Sequence, residues 1–300
     1  MSRAVQWAGV FPAATTQFKD DFSLDLDLTR HLLEAMIDQG VHGLIMLGSV
    51  GENTVLEPEE KQAVLRMAKE VTRGRIPVIS GVAEYTTAQS IRFAKACEEI
   101  GIDGLMVLPA MVYKADAREN VAHFRAVANA TRLPIMVYNN PPAYNADLGP
   151  AEFKALADVP NLVAIKESSG NSRRITDLIN ELGDRYIMFC GLDDLVFEAV
   201  ALGCVGWVSG FTDAFPRESV KLFDLLARGQ FKEALPIYRW FTPILHLDDH
   251  PKLVQYIKLA QVMTGVGTET VRPPRLRLIG DERERISTLI QKAIDTRPQV

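Results

Sequence analysis

The chain has 300 residues, a formal net charge of −5, 47% hydrophobic residues and 24% charged residues. This balance is ordinary for a soluble globular protein, and it excludes the strongly basic surfaces that nucleic acid or anionic membranes attract. Because no apolar run approaches the roughly 20 residues that span a bilayer and no signal-peptide pattern opens the chain, we expect a cytoplasmic protein whose partner is a small molecule.

Short apolar runs alternate with longer stretches of helical period up to about residue 210, which is the pattern of repeated βα units. The apolar runs predict eight parallel strands, at residues 9–16, 43–49, 77–82, 104–109, 134–139, 162–168, 187–191 and 206–210. Amphipathic stretches predict crossover helices at residues 28–39, 57–71, 87–100 and 116–130. Eight such units predict an α/β fold, a (β/α)8 TIM barrel with a C-terminal helical extension. A doubly wound sheet is the rival architecture.

After the eighth strand the pattern becomes wholly helical. Helices are predicted at residues 218–227, 231–241, 250–263 and 282–292. No polar linker or low-complexity stretch separates this region from the barrel. We therefore predict a barrel core at residues 1–215 and, at residues 216–300, the last barrel helix with a C-terminal helical appendage, all packed as one domain.

The predicted sixth strand ends with a lysine, Lys166, after an apolar run. In a (β/α)8 barrel the reactive groups stand at the carboxyl ends of the strands. Alternation along the strand places Lys166 on the face opposite Val163 and Ile165, so it points into the barrel if those branched residues meet the outer helices. Burial lowers the pKa of an amine and leaves a nucleophile for a carbonyl or imine carbon. The alternative is a lysine that extends from the strand end into solvent.

The fifth predicted strand carries Tyr138 at the height that matches Lys166, on the same face as Met136. A phenol would then sit beside the amine. Schiff-base chemistry needs a group that moves protons during carbinolamine formation and later at the substrate carbons, and a tyrosine near a cation can do so. The alternative is a barrel-lining tyrosine that is hydrogen-bonded for structural reasons only.

The second predicted strand runs into a glycine-bracketed turn that contains Gly48, Ser49 and Val50. Its backbone N–H groups and the Ser49 hydroxyl could hold a carboxylate, although a tight βα turn without a ligand has the same pattern. The turn lacks the Gly-Lys-Ser/Thr element of a phosphate-binding loop. Acidic residues follow the last two predicted strands, so a non-phosphorylated acid fits better than a phosphate.

Metal binding is not expected. Cys97, Cys190 and Cys204 are few, widely spaced and odd in number, which indicates buried thiols and no disulfide framework. His246 and His250 have the spacing of two ligands on one helix, but they lie in the appendage, far along the chain from the strand ends. A catalytic zinc would also need a third ligand and an open position.

Three motifs in this order resemble the dihydrodipicolinate synthase and N-acetylneuraminate lyase superfamily of class I Schiff-base enzymes, over nearly the whole chain. They are the turn after the second strand, Tyr-Asn-Asn-Pro-Pro at 138–142 and Ile-Lys-Glu-Ser-Ser-Gly at 165–170. The resemblance implies no metal or organic cofactor, a small 2-oxo or 2-imino acid substrate, and a homotetramer built as a dimer of dimers. The residues that it implies are Lys166 for the Schiff base, Tyr138 for proton transfer, and Gly48, Ser49, Val50, Asn140 and Val208 for substrate binding.

Two departures from the synthase pattern make dihydrodipicolinate synthase activity doubtful. Where the synthases carry an arginine for a dicarboxylate substrate, this chain has Pro142-Ala143-Tyr144. Where they carry a relay tyrosine, it has Met111.

The chain looks most like the 1-pyrroline-4-hydroxy-2-carboxylate deaminases of hydroxyproline degradation, through the strings at 81–87, 108–114, 238–241 and 271–276. That resemblance implies attack of Lys166 on the cyclic imine, loss of a C3 proton, expulsion of the 4-hydroxyl, and hydrolysis to 2,5-dioxopentanoate and ammonia. The first alternative is a class I aldolase or lyase acting on a 2-oxo acid, of the dihydrodipicolinate synthase or 2-keto-3-deoxy sugar acid type. The second is a catalytically silent barrel that binds a metabolite or partner.

Overall fold

The computed structural model describes residues 5–110 and 113–300. Eight parallel strands with helices between them form a TIM barrel, as the sequence predicts. The strands are β1 (Gly9–Pro12), β2 (Leu44–Met46), β3 (Val78–Val82), β4 (Gly104–Val107), β5 (Ile135–Asn139), β6 (Leu162–Glu167), β7 (Ile187–Cys190) and β8 (Gly206–Ser209).

The strand order in the sheet is β1-β8-β7-β6-β5-β4-β3-β2, and every pairing is parallel. The sheet closes between β1 and β2, where the Ala14 N–H donates to the Ile45 carbonyl over 2.9 Å and the His42 N–H donates to the Val10 carbonyl over 2.9 Å. A doubly wound sheet would leave these two edges apart, so that rival architecture is wrong.

The helices within the described residues follow the predicted alternation. They are α1 (Leu26–Asp38), α2 (Pro58–Thr72), α3 (Thr87–Ile100), α4 (Ala117–Asn129), α5 (Pro141–Tyr144), α6 (Pro150–Ala155), α7 (Arg173–Leu182), α8 (Val196–Ala201), α9 (Pro216–Ala227), α10 (Phe231–Leu245), α11 (Leu253–Met263) and α12 (Gly280–Asp295). Most strands end one to four residues earlier than predicted, because the residues that follow leave the ladder and begin the loops at the carboxyl end of the barrel. The helix predicted from residue 250 begins at Leu253, since the backbone of His250 is extended.

Local capping chemistry explains where these helices begin and end. α3 starts after Thr86, whose hydroxyl accepts from the Gln89 N–H, while the Gln89 side chain accepts from the Thr86 N–H. It ends at Gly101, whose φ of 83° suits a residue without a Cβ. Such signals are local, which is why the sequence predicts the helix bounds closely.

The core fills the barrel and the layer between strands and helices. Phe11 of β1 and Phe189 of β7 meet edge to face, with ring centroids 5.2 Å apart. A Cβ at Gly206 would lie 2.1 Å from the Phe189 ring, so the glycine makes room for this aromatic pair. Dense packing of this kind leaves the carboxyl ends of the strands as the place for a cavity.

The helices after β8 pack back onto the barrel. α9 contacts β1, α10 contacts α9 and α12, and α11 contacts α12. These contacts are consistent with one domain composed of a core at residues 1–215 and the helical part at 216–300, and that division stays a proposal. No helix in the described part of the chain is long and apolar enough to cross a membrane.

Candidate active site

Lys166 lines a cavity of about 460 Å³ at the carboxyl ends of the strands. Only 6% of the residue is exposed, so it does not extend into solvent, and burial lowers the pKa of its amine. Within residues 5–110 and 113–300 no carboxylate oxygen lies within 4.0 Å of its Nζ. A Cβ at Gly191 would lie 2.7 Å from the Lys166 Cε, so the glycine after β7 provides the space that the side chain occupies.

Tyr138 lies directly across from Lys166 in the β5–β6 register, as strand alternation predicts. The Lys166 Nζ stands 3.9 Å from the centroid of the Tyr138 ring. The amine thus approaches the ring face, and the phenol oxygen accepts a hydrogen bond from the Asn140 Nδ2 at 3.0 Å. Burial raises the pKa of Tyr138 to about 12, so the phenol is protonated at neutral pH.

The turn after β2 is held in an unusual backbone conformation. Leu47 and Glu52 have positive φ values of 56° and 54°. A Cβ at Gly51 would lie 2.9 Å from the Leu47 backbone nitrogen, which requires glycine there. In the described part of the chain, the backbone N–H groups of Ser49 and Val50 donate to no protein acceptor. These N–H groups are therefore available to an anionic ligand.

Tyr144 closes the site above this turn. Its hydroxyl is hydrogen-bonded to the Ser49 Oγ, and its ring meets the Tyr138 ring edge to face at 5.6 Å between centroids. Asn140 caps the short helix α5 by accepting from the Ala143 N–H at 3.0 Å, so one side chain positions both Tyr138 and Tyr144. Burial raises the pKa of the Tyr144 phenol. The sequence marks Tyr144 only as a departure from the synthase pattern and misses its contact with Ser49.

The cavity brings together every residue predicted for the site. They are Gly48, Ser49, Val50, Tyr138, Asn140, Lys166 and Val208. Their chemical roles remain predictions. Met111, which stands where the synthases have a relay tyrosine, lies outside the described residues.

Four titratable lining residues that the sequence did not place in the site come from beyond β8. They are Asp248, Asp249, His250 and Arg275. His250 is far along the chain from the strand ends, but the fold brings it beside them. Nothing in the local pattern indicates this placement, because it depends on how the appendage folds back. No cluster of three or more His, Cys, Asp or Glu residues that could hold a metal ion occurs among the residues that the structure describes.

The acidic residues after the last two strands are mainly structural. Asp193 accepts from the Trp207 Nε1 at 3.1 Å and from the Phe211 N–H at 2.9 Å. Asp213 accepts from the Thr15 N–H at 3.1 Å. Burial raises the pKa of both carboxyl groups well above the usual range. Through these hydrogen bonds Asp193 and Asp213 hold the loops after β7 and β8 against the barrel.

Comparison with known proteins places the chain among enzymes of this fold. The profile of the dihydrodipicolinate synthetase family matches residues 6–293. The 4-hydroxy-tetrahydrodipicolinate synthase of Moorella thermoacetica is 30% identical over 291 residues, which are 96% of this chain and 99% of that protein. The corresponding enzyme of Bacillus subtilis is 30% identical over 290 residues, covering 96% and 100%.

Solved structures agree with these sequence relatives. A dihydrodipicolinate synthase from Bacillus anthracis superposes with a TM-score of 0.92 at 27% identity, covering 98% of this chain and 100% of that one. YagE, a prophage protein of the dihydrodipicolinic acid synthase family from E. coli K12, was solved in complex with pyruvate. It superposes with a TM-score of 0.90 at 28% identity, covering 97% and 99%.

The barrel and these relatives define an enzyme of the class I aldolase and lyase superfamily. The chain belongs to the dihydrodipicolinate synthetase family.

Proposed function

We propose that the protein is a class I carbon–carbon lyase in which Lys166 forms a Schiff base with C2 of a small 2-oxo acid. The observation that carries the proposal is the buried Lys166 amine, which lines the cavity with no carboxylate within 4.0 Å. An amine in this environment gives up its proton more easily than a solvated lysine and is then a nucleophile.

The surrounding groups supply the other parts of such a reaction. The N–H groups of Ser49 and Val50 donate hydrogen bonds to the substrate carboxylate, which places its C2 carbon toward Lys166. Attack forms a carbinolamine, and loss of water gives the Schiff base. Tyr138, adjacent to the amine, transfers protons during these steps and at C3, where loss of a proton gives the enamine. In synthesis the enamine attacks an aldehyde carbon and forms the C3–C4 bond; in cleavage the C3–C4 bond of the substrate Schiff base breaks, an aldehyde leaves and the enamine remains on Lys166.

The relatives support carbon–carbon lyase chemistry over the deamination that the sequence resemblance favours. The curated relatives are named 4-hydroxy-tetrahydrodipicolinate synthase, and YagE was solved with pyruvate. A pyruvate-type 2-oxo acid is accordingly the substrate class that we propose. The expected absence of a cofactor follows from the same chemistry, since the Lys166 adduct serves as the electron sink.

A deaminase that converts 1-pyrroline-4-hydroxy-2-carboxylate to 2,5-dioxopentanoate and ammonia is the second candidate. The observation that favours it is Tyr144, which occupies the stretch where the synthases have an arginine and bonds to the Ser49 hydroxyl. A tyrosine there supplies no positive charge for a second carboxylate. This feature fits a cyclic imino acid with one carboxylate, although Arg275 also lines the cavity and carries a positive charge.

Reductive trapping tests the proposal directly. We expect borohydride in the presence of pyruvate to add pyruvate irreversibly to the peptide that contains Lys166, as read by peptide mass mapping. Release of pyruvate from 2-keto-3-deoxygluconate would support the lyase, and release of ammonia from cis-4-hydroxy-1-pyrroline-2-carboxylate would support the deaminase. No adduct on Lys166 with any of the three compounds would reject Schiff-base catalysis.

Assembly and location complete the proposal. We propose a cytoplasmic homotetramer arranged as a dimer of dimers, on the basis of the family resemblance. Light scattering after size exclusion should give four times the mass of the chain, and a monomer at micromolar concentration would contradict it.

A further inference from the structure

We propose that Asp248 is a catalytic acid–base residue that transfers the proton of the oxygen on C4 of the substrate. The inference rests on the proposed Schiff-base function and extends it to a group carried by the C-terminal appendage, not by a strand end. It holds for both candidate reactions, since each involves a substrate with an oxygen atom at C4.

The structure positions Asp248 with several contacts. It lies in a 3₁₀ helix, His246–Asp249, that packs against the loop after β7. The His246 Nδ1 and the Asp194 Oδ2 are 2.7 Å apart, which anchors this helix. The Asp193 N–H donates weakly to the Asp248 Oδ2 over 3.4 Å. A Cβ at Gly210 would lie 2.9 Å from the Asp248 Oδ1, so the glycine after β8 leaves room for the carboxyl group.

The order of the strands around the barrel indicates which substrate atoms Asp248 can reach. The carboxylate-binding turn follows β2, Tyr138 is on β5 and Lys166 is on β6. Asp248 covers the ends of β7 and β8, a sector of the cavity that these groups leave free. A substrate held by its carboxylate at the turn and by C2 at Lys166 extends its remaining carbons into that sector.

The electrostatic environment suits a group that exchanges a proton. Removal from water raises the pKa of Asp248 to about 6, while the charge of Lys166 opposes the shift. A carboxyl group that titrates near neutral pH can act as an acid or as a base. The charged or titratable groups around it are Lys166, Asp193, Asp194, His246, Asp249, His250 and Arg275.

The proton and electron balance differs between the two reactions. In carbon–carbon cleavage, the Asp248 carboxylate takes the proton of the C4 hydroxyl. The C3–C4 bond breaks toward the Lys166 iminium to give the enamine, and an aldehyde leaves. In deamination, protonated Asp248 gives its proton to the C4 oxygen. The enamine electrons then expel this oxygen as water, which leaves a conjugated iminium on Lys166.

The experiment separates steps at C2 and C3 from the step at C4. Pyruvate has no C4, so Asp248→Asn should not reduce borohydride trapping of pyruvate or deuterium exchange of its methyl group by more than about threefold; because Asp248 raises the Lys166 pKa, loss of its charge should leave trapping equal to the wild type or increase it. Turnover of 2-keto-3-deoxygluconate or cis-4-hydroxy-1-pyrroline-2-carboxylate should fall by about 10²–10⁴-fold, the usual contribution of a general acid or base. Asp248→Glu should recover part of this loss. The exposed Asp281→Asn, with the same charge change in the appendage, should match the wild type.

The dependence of kcat on pH distinguishes a catalytic role of Asp248 from a structural one, because a purely structural residue would not change its shape. The wild-type kcat should have a limb near pH 6, rising with pH for cleavage and falling with pH for deamination, and Asp248→Asn should lack it. Turnover of Asp248→Asn within threefold of the wild type would overturn the inference, as would parallel loss of trapping, exchange and turnover. Absence of trapping or turnover in the wild type would instead refute the proposed function, and this inference with it.

Discussion

Lys166 and Lys258 are both buried lysines, but only Lys258 has a carboxylate partner. The Lys258 Nζ lies 2.6 Å from the Glu52 Oε1 and 2.7 Å from the Thr270 carbonyl, and neither Lys258 nor Glu52 has an exposed side chain. Lys166 faces the Tyr138 ring and open cavity. Burial lowers the pKa of both amines; Glu52 opposes the shift at Lys258 through a direct hydrogen bond, whereas Asp248 opposes it at Lys166 without a contact within 4.0 Å. Burial of a lysine therefore does not by itself indicate a nucleophile. A buried amine that has no hydrogen-bonded carboxylate and that borders a cavity does indicate one.

Lys258 also supports the turn that the proposed function assigns to the substrate carboxylate. Lys258 of α11 holds Glu52, the residue with positive φ that ends the turn containing Ser49 and Val50. The Arg272 N–H adds a second hydrogen bond to Glu52 at 3.1 Å. One buried lysine thus fixes the turn that the other lysine's substrate would bind.

The largest expected effect is loss of turnover in Lys166→Arg, by at least about 10⁴-fold, because the guanidinium stays protonated and cannot form a Schiff base. Steady-state kinetics and borohydride trapping measure it. The exposed Lys154→Arg is the matched control and should behave as the wild type. Retained turnover in Lys166→Arg would show that Lys166, like Lys258, is not the nucleophile.

The next largest effect concerns stability. Lys258→Met should lower the free energy of unfolding by about 3–5 kcal/mol, because the buried Glu52 carboxylate loses its hydrogen-bonded ammonium and keeps only the Arg272 N–H at 3.1 Å and the Arg275 guanidinium at 4.0 Å. Denaturant unfolding at pH 7 measures the change. The double variant Glu52→Gln with Lys258→Met removes both charges and should recover part of the loss. Equal stability of Lys258→Met and the wild type would show that the pair contributes nothing to folding.

Tyr138→Phe should reduce turnover by about 10²–10³-fold while the fold is retained, since the ring remains and only the hydroxyl that we propose for proton transfer is lost. Single-turnover kinetics should show that the proton-transfer steps have slowed. Tyr113→Phe, at an exposed tyrosine, is the control. An unchanged rate in Tyr138→Phe would assign the phenol a structural role.

The smallest effect is a gain in stability. The folded-state pKa of Lys166 is below its unfolded value, so folding at neutral pH carries a cost that is absent above about pH 10.4 and grows as the pH falls toward the folded pKa. Lys166→Met should therefore raise the Tm at pH 7, on the order of 2–4 °C if the gain is about 1 kcal/mol. The gain should shrink near pH 10. Calorimetry at both pH values checks it, and a lower Tm at pH 7 would contradict it.

Local pattern was sufficient for much of the fold and part of the site. Alternation in two neighbouring strands predicts that Tyr138 and Lys166 share a face, and the register confirms that they lie opposite each other. The family resemblance marks the stretch that contains Tyr144 as a departure from the synthase pattern, but it does not predict the hydrogen bond to Ser49. That contact joins residues separated by 95 positions, and no periodic signal links them.

The sequence by itself determined the eight βα units, the strand ends that carry Lys166 and Tyr138, and the glycine-bracketed turn, because each depends on periodicity or turn chemistry within a few residues. Only the tertiary structure decided that Asp248 joins the cavity and that Lys258 pairs with Glu52, 206 positions away. These contacts arise when the appendage packs its apolar faces on the barrel, and that packing is set by surfaces of the whole fold.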